Sequence, residues 1–285
     1  MIVDTHAHLI ADDEVNYPTN LPPGAARPPE LQQPMTAERL LVQMDRCGVE
    51  RAVLVQRGSL YGFDNRYVCD SAERHPDRFV AVCAIDAAAA DSPERVRFWV
   101  RDRGARGIRL MQLVKGPDMG WLHSPHALAA WREAHRLQTP VCVHLFPWNR
   151  RAGLEALSSI FTELPGIRVV IDHFSNMDVL AGPPDHGVDE LLSGVARHSG
   201  AYVKFTTIPL GKLHASGVDA APIVARVVSL FGAQRVMWGS DINQSPGEYG
   251  HMVALGRQAV RALSAEQQAW LMSGAAMTAY GAQWK

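Results

Sequence analysis

Thr36-Ala37-Glu38-Arg39-Leu40-Leu41-Val42-Gln43-Met44-Asp45-Arg46-Cys47-Gly48, followed two residues later by Arg51-Ala52-Val53-Leu54-Val55-Gln56, reads as a helix, a stop and a strand. Thr36 is a residue type that caps a helix start, and Leu40, Leu41, Met44 and Cys47 share one helical face. Gly48 supplies the left-handed stop. The apolar run after it lacks polar alternation, the pattern of a strand buried on both faces.

Working outward, the same unit recurs. Strand-like runs are predicted over residues 2–8, 51–56, 79–86, 107–112, 141–145, 167–173, 201–206 and 235–241. Helical stretches follow over 64–74, 93–103, 125–137, 151–164, 188–198, 220–231 and 249–262. Gly48, Pro76, Gly104, Pro140, Pro165-Gly166, Gly200 and Gly232 stand just before the next strand, as breakers should. Such alternation implies parallel βαβ units with right-handed crossovers, and eight of them predict a (β/α)8 TIM barrel. No GxGxxG follows the first run, so nothing in the sequence supports a dinucleotide fold. The chain 1–285 is expected to be one barrel domain with an additional helix over 265–280, opened by a Ser264/Gln267 capping box and lying on the outside or bottom. Residues 10–34, rich in proline, follow strand one and are expected to form a lid-like loop at the catalytic face.

Bulk properties agree with a globular enzyme. The 285 residues are 47% hydrophobic and carry 28 basic against 29 acidic side chains, a net charge of −1. That balance leaves no electrostatic footprint for nucleic acid or an anionic membrane. Four cysteines without a CxxC pair fit a reducing compartment, and neither a signal-like N-terminus nor a spanning apolar run is present, so a cytoplasmic location is expected. The partner expected is a small-molecule substrate; a homo-oligomer is allowed but not required.

In such a barrel, function sits at the C-terminal ends of the strands. Strand one ends in His6-Ala7-His8, strand two in Gln56-Arg57, strand three in Asp86 and strand four in Arg109 to Gln112. Strand five ends in His144, strand six in Asp172-His173, strand seven in Lys204 and Thr206, and strand eight in Ser240-Asp241. His6 and His8, two apart on a strand, point to the same side and can converge on one ion. Five such groups at one barrel face are unlike core histidines, each of which would need its own buried partner. His144 and Asp241 add nitrogen and oxygen donors of the kind zinc takes. Arg109 has a fork suited to a substrate carboxylate or lactone oxygen, the alternative being an interior ion pair with Asp86 or Asp241. Gln56 and Gln112 are further substrate-binding candidates. For Lys204 the structural role is favoured.

The segments Val3-Asp4-Thr5-His6-Ala7-His8, Asp64-Asn65-Arg66-Tyr67, Gly107-Ile108-Arg109-Leu110, Val143-His144, Asp172-His173 and Trp238-Gly239-Ser240-Asp241 resemble the amidohydrolase superfamily, in the amidohydrolase-2 branch of small barrels similar to 2-pyrone-4,6-dicarboxylate lactonase. The resemblance implies a metal site of His6, His8, His144 and Asp241, with His173 acting on substrate. It implies that Asp241 takes a proton from the attacking water and delivers it to the leaving group. Superfamily members with two metals carry a modified lysine at the end of strand four. Here Arg109-Leu110-Met111-Gln112 stands there and Lys115 lies further out, so one divalent ion is implied: zinc, with manganese or a metal-free reaction as alternatives. The reaction expected is hydrolysis of a lactone or related ester or amide bond in a small carboxylated or sugar-derived substrate. Non-oxidative decarboxylation of an aromatic or unsaturated acid at the same site is the alternative.

Overall fold

The computed structural model describes residues 1–21 and 26–281. Eight parallel strands run in sequence order: β1 (Val3–Ala7), β2 (Arg51–Val55), β3 (Phe79–Ala84), β4 (Gly107–Met111), β5 (Val141–His144), β6 (Val169–Ile171), β7 (Ala201–Thr206) and β8 (Val236–Gly239). The ring closes where Asp241 N donates to His6 O at 2.7 Å and Ala7 bridges Ile242 in parallel. The result is the expected (β/α)8 barrel.

Seven of the eight strands stop one or two residues before the predicted ends, because the polar residues there leave the ladder and turn into the barrel mouth. The helix at Thr36 forms as read: Ala37–Cys47, with Thr36 Oγ1 accepting from Arg39 N and Gly48 at φ 67°. Two expectations need correction. A helix not anticipated, Thr207–Ala215, follows β7 directly and precedes the expected Ala221–Phe231. Its Pro209 stands in the first turn, where a proline removes only an N–H that has no helical partner anyway. The final helix is also not continuous: after the Ser264/Gln267 capping box it runs Ala265–Ala269, passes through a π-helical turn at Trp270–Gly274, and resumes as Ala275–Tyr280.

That last segment closes the bottom of the barrel. Ala275, Ala276, Ala279 and Tyr280 join the inward valines of β1, β2, β3 and β6 in one buried cluster. Tyr280 Oη meets Cys142 Sγ at 3.2 Å, and Lys204 Nζ sits 5.7 Å above the Tyr280 ring. The opposite mouth carries the strand-end side chains His8, His144, His173 and Asp241. Over it, the described part of the 10–34 loop packs on the turn after β2: Ile10 clusters with Leu60 and Tyr61, and Ala11 N donates to Tyr61 Oη at 3.0 Å. Residues 22–25 of this loop lie outside the described residues. No helix among the described residues is long and apolar enough to cross a membrane.

Candidate active site

Two local features hold the strand ends in register for chemistry. Asp4 Oδ1 accepts from His6 N at 3.0 Å and Ser240 N at 2.8 Å, while Oδ2 accepts from Tyr249 Oη at 3.1 Å, stitching β1 to β8. Gly239 lets the two strands approach: a Cβ there would sit 2.6 Å from the Cβ of His6. After β6 the backbone makes an uncommon left-handed turn, with His173, Phe174, Ser175 and Asn176 all at φ between 50° and 53°. Each such residue costs roughly 1–2 kcal/mol. Phe174, fully buried against Phe205, and the Ser175 N–H to Asp172 O (2.9 Å) hold it in place. The turn aims His173 and Asn176 into the cavity; backbone strain of this kind concentrates at working sites.

His8, Arg109, His144, His173 and Asp241 line a cavity of about 230 Å³ at the C-terminal mouth, with Arg57 on its wall. His6 sits beside it, wholly buried. His6 Nε2 and His8 Nε2 lie 3.5 and 3.4 Å from Asp241 Oδ1. His8 Nδ1 is 2.7 Å from Val55 O, a carbonyl that only accepts, so Nδ1 carries a hydrogen and, in the neutral ring, Nε2 is a bare lone pair. Two acceptors, His8 Nε2 and Asp241 Oδ1, thus face each other in a dry site. Neither His6 Nε2 nor Asp241 Oδ1 finds a hydrogen-bond partner among the described residues. A positive charge between them resolves both facts. The separations match the roughly 3.3 Å edge between ligands around a tetrahedral ion with ~2.0–2.1 Å bonds. His6, His8 and Asp241 form one group of donors able to hold a metal, and His6, Asp172 and His173 a second, overlapping one.

Behind this set lies a buried charge network. Asp172 Oδ1 is 3.3 Å from His6 Nδ1 and from Lys204 Nζ, and Oδ2 accepts from Arg109 Nε at 3.0 Å. Lys204 Nζ also lies 3.3 Å from His6 Nδ1. Burial pushes the Asp172 carboxyl up, but Lys204, His6 and Arg109 outweigh it and hold it well below the usual range. Burial drives the His6 and His144 rings well below the ordinary imidazole value, and brings His173 down to about 4 against the pull of Asp241 and Asp172. Burial thus favours the neutral form of these three rings, the form in which an imidazole can bind a cation.

The residues singled out from sequence divide in two. His6, His8, His173 and Asp241 come together at the site. His144 is on the cavity wall but in neither donor group, and its Nδ1 faces Arg109 Nη2 at 2.8 Å. Arg109 does form an interior ion pair, with Asp172 in place of the Asp86 or Asp241 anticipated. Gln56 and Gln112 are not part of the cavity wall. Gln56 Nε2 donates to Asp64 O, and Gln112 joins Gly116, Asp118, Trp148 and Asn149 through its amide. Arg57, one residue past Gln56, turns inward instead. It is 5% exposed, donates from Nη2 to Glu30 Oε1 at 3.1 Å, and its Nε and Nη1 have no partner among the described residues. Sequence placed Arg57 at a strand end but could not say which of the two neighbours faces in.

The profile of the family described as Amidohydrolase matches residues 3–282. The chain is 30% identical to L-fucono-1,5-lactonase of Burkholderia ambifaria over 223 residues, covering 76% of this chain and 72% of that protein. It is 25% identical to 4-sulfomuconolactone hydrolase of Rhizobium radiobacter over 252 residues, 84% and 74% of the two chains. Among solved structures, a Pseudomonas putida protein assigned as a 2-pyrone-4,6-dicarboxylic acid hydrolase superposes with a TM-score of 0.73 at 22% identity, covering 99% and 98% of the chains. An amidohydrolase of Burkholderia multivorans with bound zinc gives 0.72 at 20%, over 98% and 99%. The 2,6-dihydroxybenzoate decarboxylase from Rhizobium gives 0.70 at 14%, over 98% of each. At these identities the structural likeness speaks to the fold alone. The chain belongs to the amidohydrolase family, in its amidohydrolase-2 branch, and is a hydrolase.

Proposed function

We propose that this hydrolase opens a lactone, or a related ester or amide bond, in a small substrate bearing a carboxylate. The observation that carries the reading is the convergence of His6 Nε2 and His8 Nε2 on Asp241 Oδ1, at 3.5 and 3.4 Å, with His6 Nε2 and Asp241 Oδ1 left without a hydrogen-bond partner among the described residues. His6, His8 and Asp241 would hold one divalent ion, and a nitrogen-rich set of this kind suits zinc. When bound, the ion supplies Lewis acidity to the oxygen it meets. Asp241 accepts the proton of the attacking water as the water oxygen bonds to the acyl carbon. It then returns that proton to the ring oxygen as the acyl carbon–oxygen bond breaks. His173, held through Nδ1 by Thr206 Oγ1 at 2.7 Å, presents its other edge to the substrate carbonyl. Asp172 sits behind His6 as a carboxylate behind a ligating histidine does, orienting the ring.

Arg57 suggests the substrate class. A buried guanidinium whose Nε and Nη1 lack a partner among the described residues is suited to receive a planar anion. Replacing Arg57 by Met is expected to raise KM for a carboxylated lactone by about 10–100-fold, the ~1.5–3 kcal/mol typical of a hydrogen bond to a charged group. The kcat should change far less, and an uncharged sugar lactone should not distinguish the two proteins. An unchanged KM on the carboxylated lactone removes Arg57 from recognition.

The reaction is tested with a panel of carboxylated and sugar lactones, following ring opening before and after chelation and after zinc is restored. Ring opening that is lost on chelation and recovers with zinc is the expected result. Carbon dioxide release from an aromatic or unsaturated acid, with no lactone opened, would overturn it in favour of decarboxylation.

A further inference from the structure

Cys69, in the middle of the helix Arg66–Arg74, and Cys83, near the end of β3, stand 14 positions apart in the chain and bring their sulfurs to 3.3 Å, one thiol donating to the other. Both are buried, at 1% and 0% exposed, and neither lines the cavity at the barrel mouth. The seam between helix and strand is fixed independently of the sulfurs. Asn65, just before the helix, accepts from Ala84 N through Oδ1 at 2.7 Å and donates through Nδ2 to Ala84 O at 3.0 Å. The helix is thus pinned at the residue next to Cys83. Only about 1.3 Å separates the present contact from the roughly 2.05 Å of a disulfide, a gap that side-chain rotation covers without sliding the helix. The two thiols differ in access. Cys69 lines a cavity of about 360 Å³ between this helix and residues 101–106, with Arg101, Arg103 and Arg106 on its wall. Cys83 stands behind it. Burial and then the Cys69 sulfur push the Cys83 thiol well above its ordinary value, against a pull from Arg103.

We propose that Cys69 and Cys83 are an oxidation site, at which hydrogen peroxide converts the pair into a disulfide that fastens the helix Arg66–Arg74 to β3 in the folded protein. Cys69, reached through the cavity, attacks one peroxide oxygen with its sulfur. The O–O bond breaks, the thiol proton goes to the departing oxygen, and water leaves a sulfenic acid on Cys69. The Cys83 sulfur then attacks the sulfenic sulfur. The S–S bond forms as the hydroxyl departs with the Cys83 proton, a second water. Two thiols give up two electrons and two protons, and the peroxide becomes two waters. The first step is slow beside that of a solvated thiol, because a buried sulfur is a poor thiolate. The second step is fast, because the resolving sulfur is already in contact, so the sulfenic acid is consumed before further oxidation. A dithiol reverses the bond, and in a reducing compartment the thiol form is the resting one. The site is independent of the hydrolytic reading above.

The unmutated protein, fully reduced, is exposed while folded to hydrogen peroxide, and the surviving thiols are capped with a maleimide on denaturation. Tryptic cleavage at arginine separates Tyr67–Arg74 from Phe79–Arg95, so the two peptides stay together only if Cys69 is bonded to Cys83. This linked pair is the expected product, and dithiothreitol should return it to two free peptides. In Cys83→Ala no resolving thiol remains, and dimedone should label the Cys69 sulfenic acid far more heavily than in the unmutated protein. The oxidised protein should melt roughly 5 °C above the same sample after dithiothreitol, since a cross-link closing a short loop constrains the unfolded chain. Both peptides found capped after the half-buried Cys47 has been oxidised would overturn the proposal. So would a linked pair that forms only in denaturant, equal dimedone labelling with and without Cys83, or an oxidised protein that melts no higher than the reduced one. The peptide map and the melting curves need no variant to fold.

Discussion

Replacing Asp241 by Asn lowers kcat/KM for the lactone that this protein opens by about 10²–10⁴-fold, the range for losing a positioned acid–base group. The substitution is gentle on the fold. Asp241 adopts a left-handed backbone at φ 58°, a conformation that asparagine tolerates better than most residues. Its N–H to His6 O at 2.7 Å is unaffected, and the side-chain oxygen facing Ser245 Oγ at 2.8 Å is retained. What disappears is the negative charge and the proton acceptor. The new amide N–H groups face His6 Nε2 and His8 Nε2 and can donate to them, so the variant should melt no lower than chelated unmutated protein. Thermal unfolding of both, with steady-state ring opening and zinc content, checks the prediction. Activity within tenfold of the parent, with zinc intact, would remove Asp241 from the proton path.

The contrast with what sequence could reach is instructive. The barrel was legible because each strand–helix unit carries its own punctuation: Thr36 and Gly48 act within a dozen residues, and the structure realises them without help from afar. The ends of strands were legible for a related reason. A polar residue terminating an apolar run marks where the ladder stops and the mouth begins, which is how His6, His8, His173 and Asp241 stood out. The remainder depends on distances across the barrel. That Arg109 pairs with Asp172, 63 positions away, follows from barrel curvature and from no local pattern. Nor does anything in the string His173-Phe174-Ser175-Asn176 announce a left-handed turn, since none of these is glycine. The choice between Gln56 and Arg57 turns on a single residue of register at a strand end, where successive side chains face opposite ways. Tautomers are further removed still, because they are set by the partner's chemistry and not by the histidine.

The buried carboxylate of Asp172 carries the second large effect. Three groups converge on it from three directions: Lys204 at 3.3 Å, His6 at 3.3 Å and Arg109 at 3.0 Å, all within a barrel interior closed below by Tyr280. Asp172→Asn leaves the lysine and arginine cations buried without their anion, which typically costs about 3–5 kcal/mol when one partner of a buried pair is removed. Urea unfolding should report that loss as a lower midpoint. Adding Lys204→Met to Asp172→Asn removes one of the stranded cations and should restore part of the stability, a coupling that independent sites would not show. A single variant within 1 kcal/mol of the parent would mean the network is indifferent to its anion. The pH dependence has a definite sign. The folded carboxyl titrates well below its unfolded value, so its contribution is complete above about pH 4 and declines as pH falls from there toward the depressed native value. Asp172 also sets the direction of both histidine systems: it lies behind His6 directly, and it fixes Arg109, whose remaining N–H groups fix His144. Its removal should therefore also weaken zinc binding through His6, a loss that elemental analysis reads separately from stability.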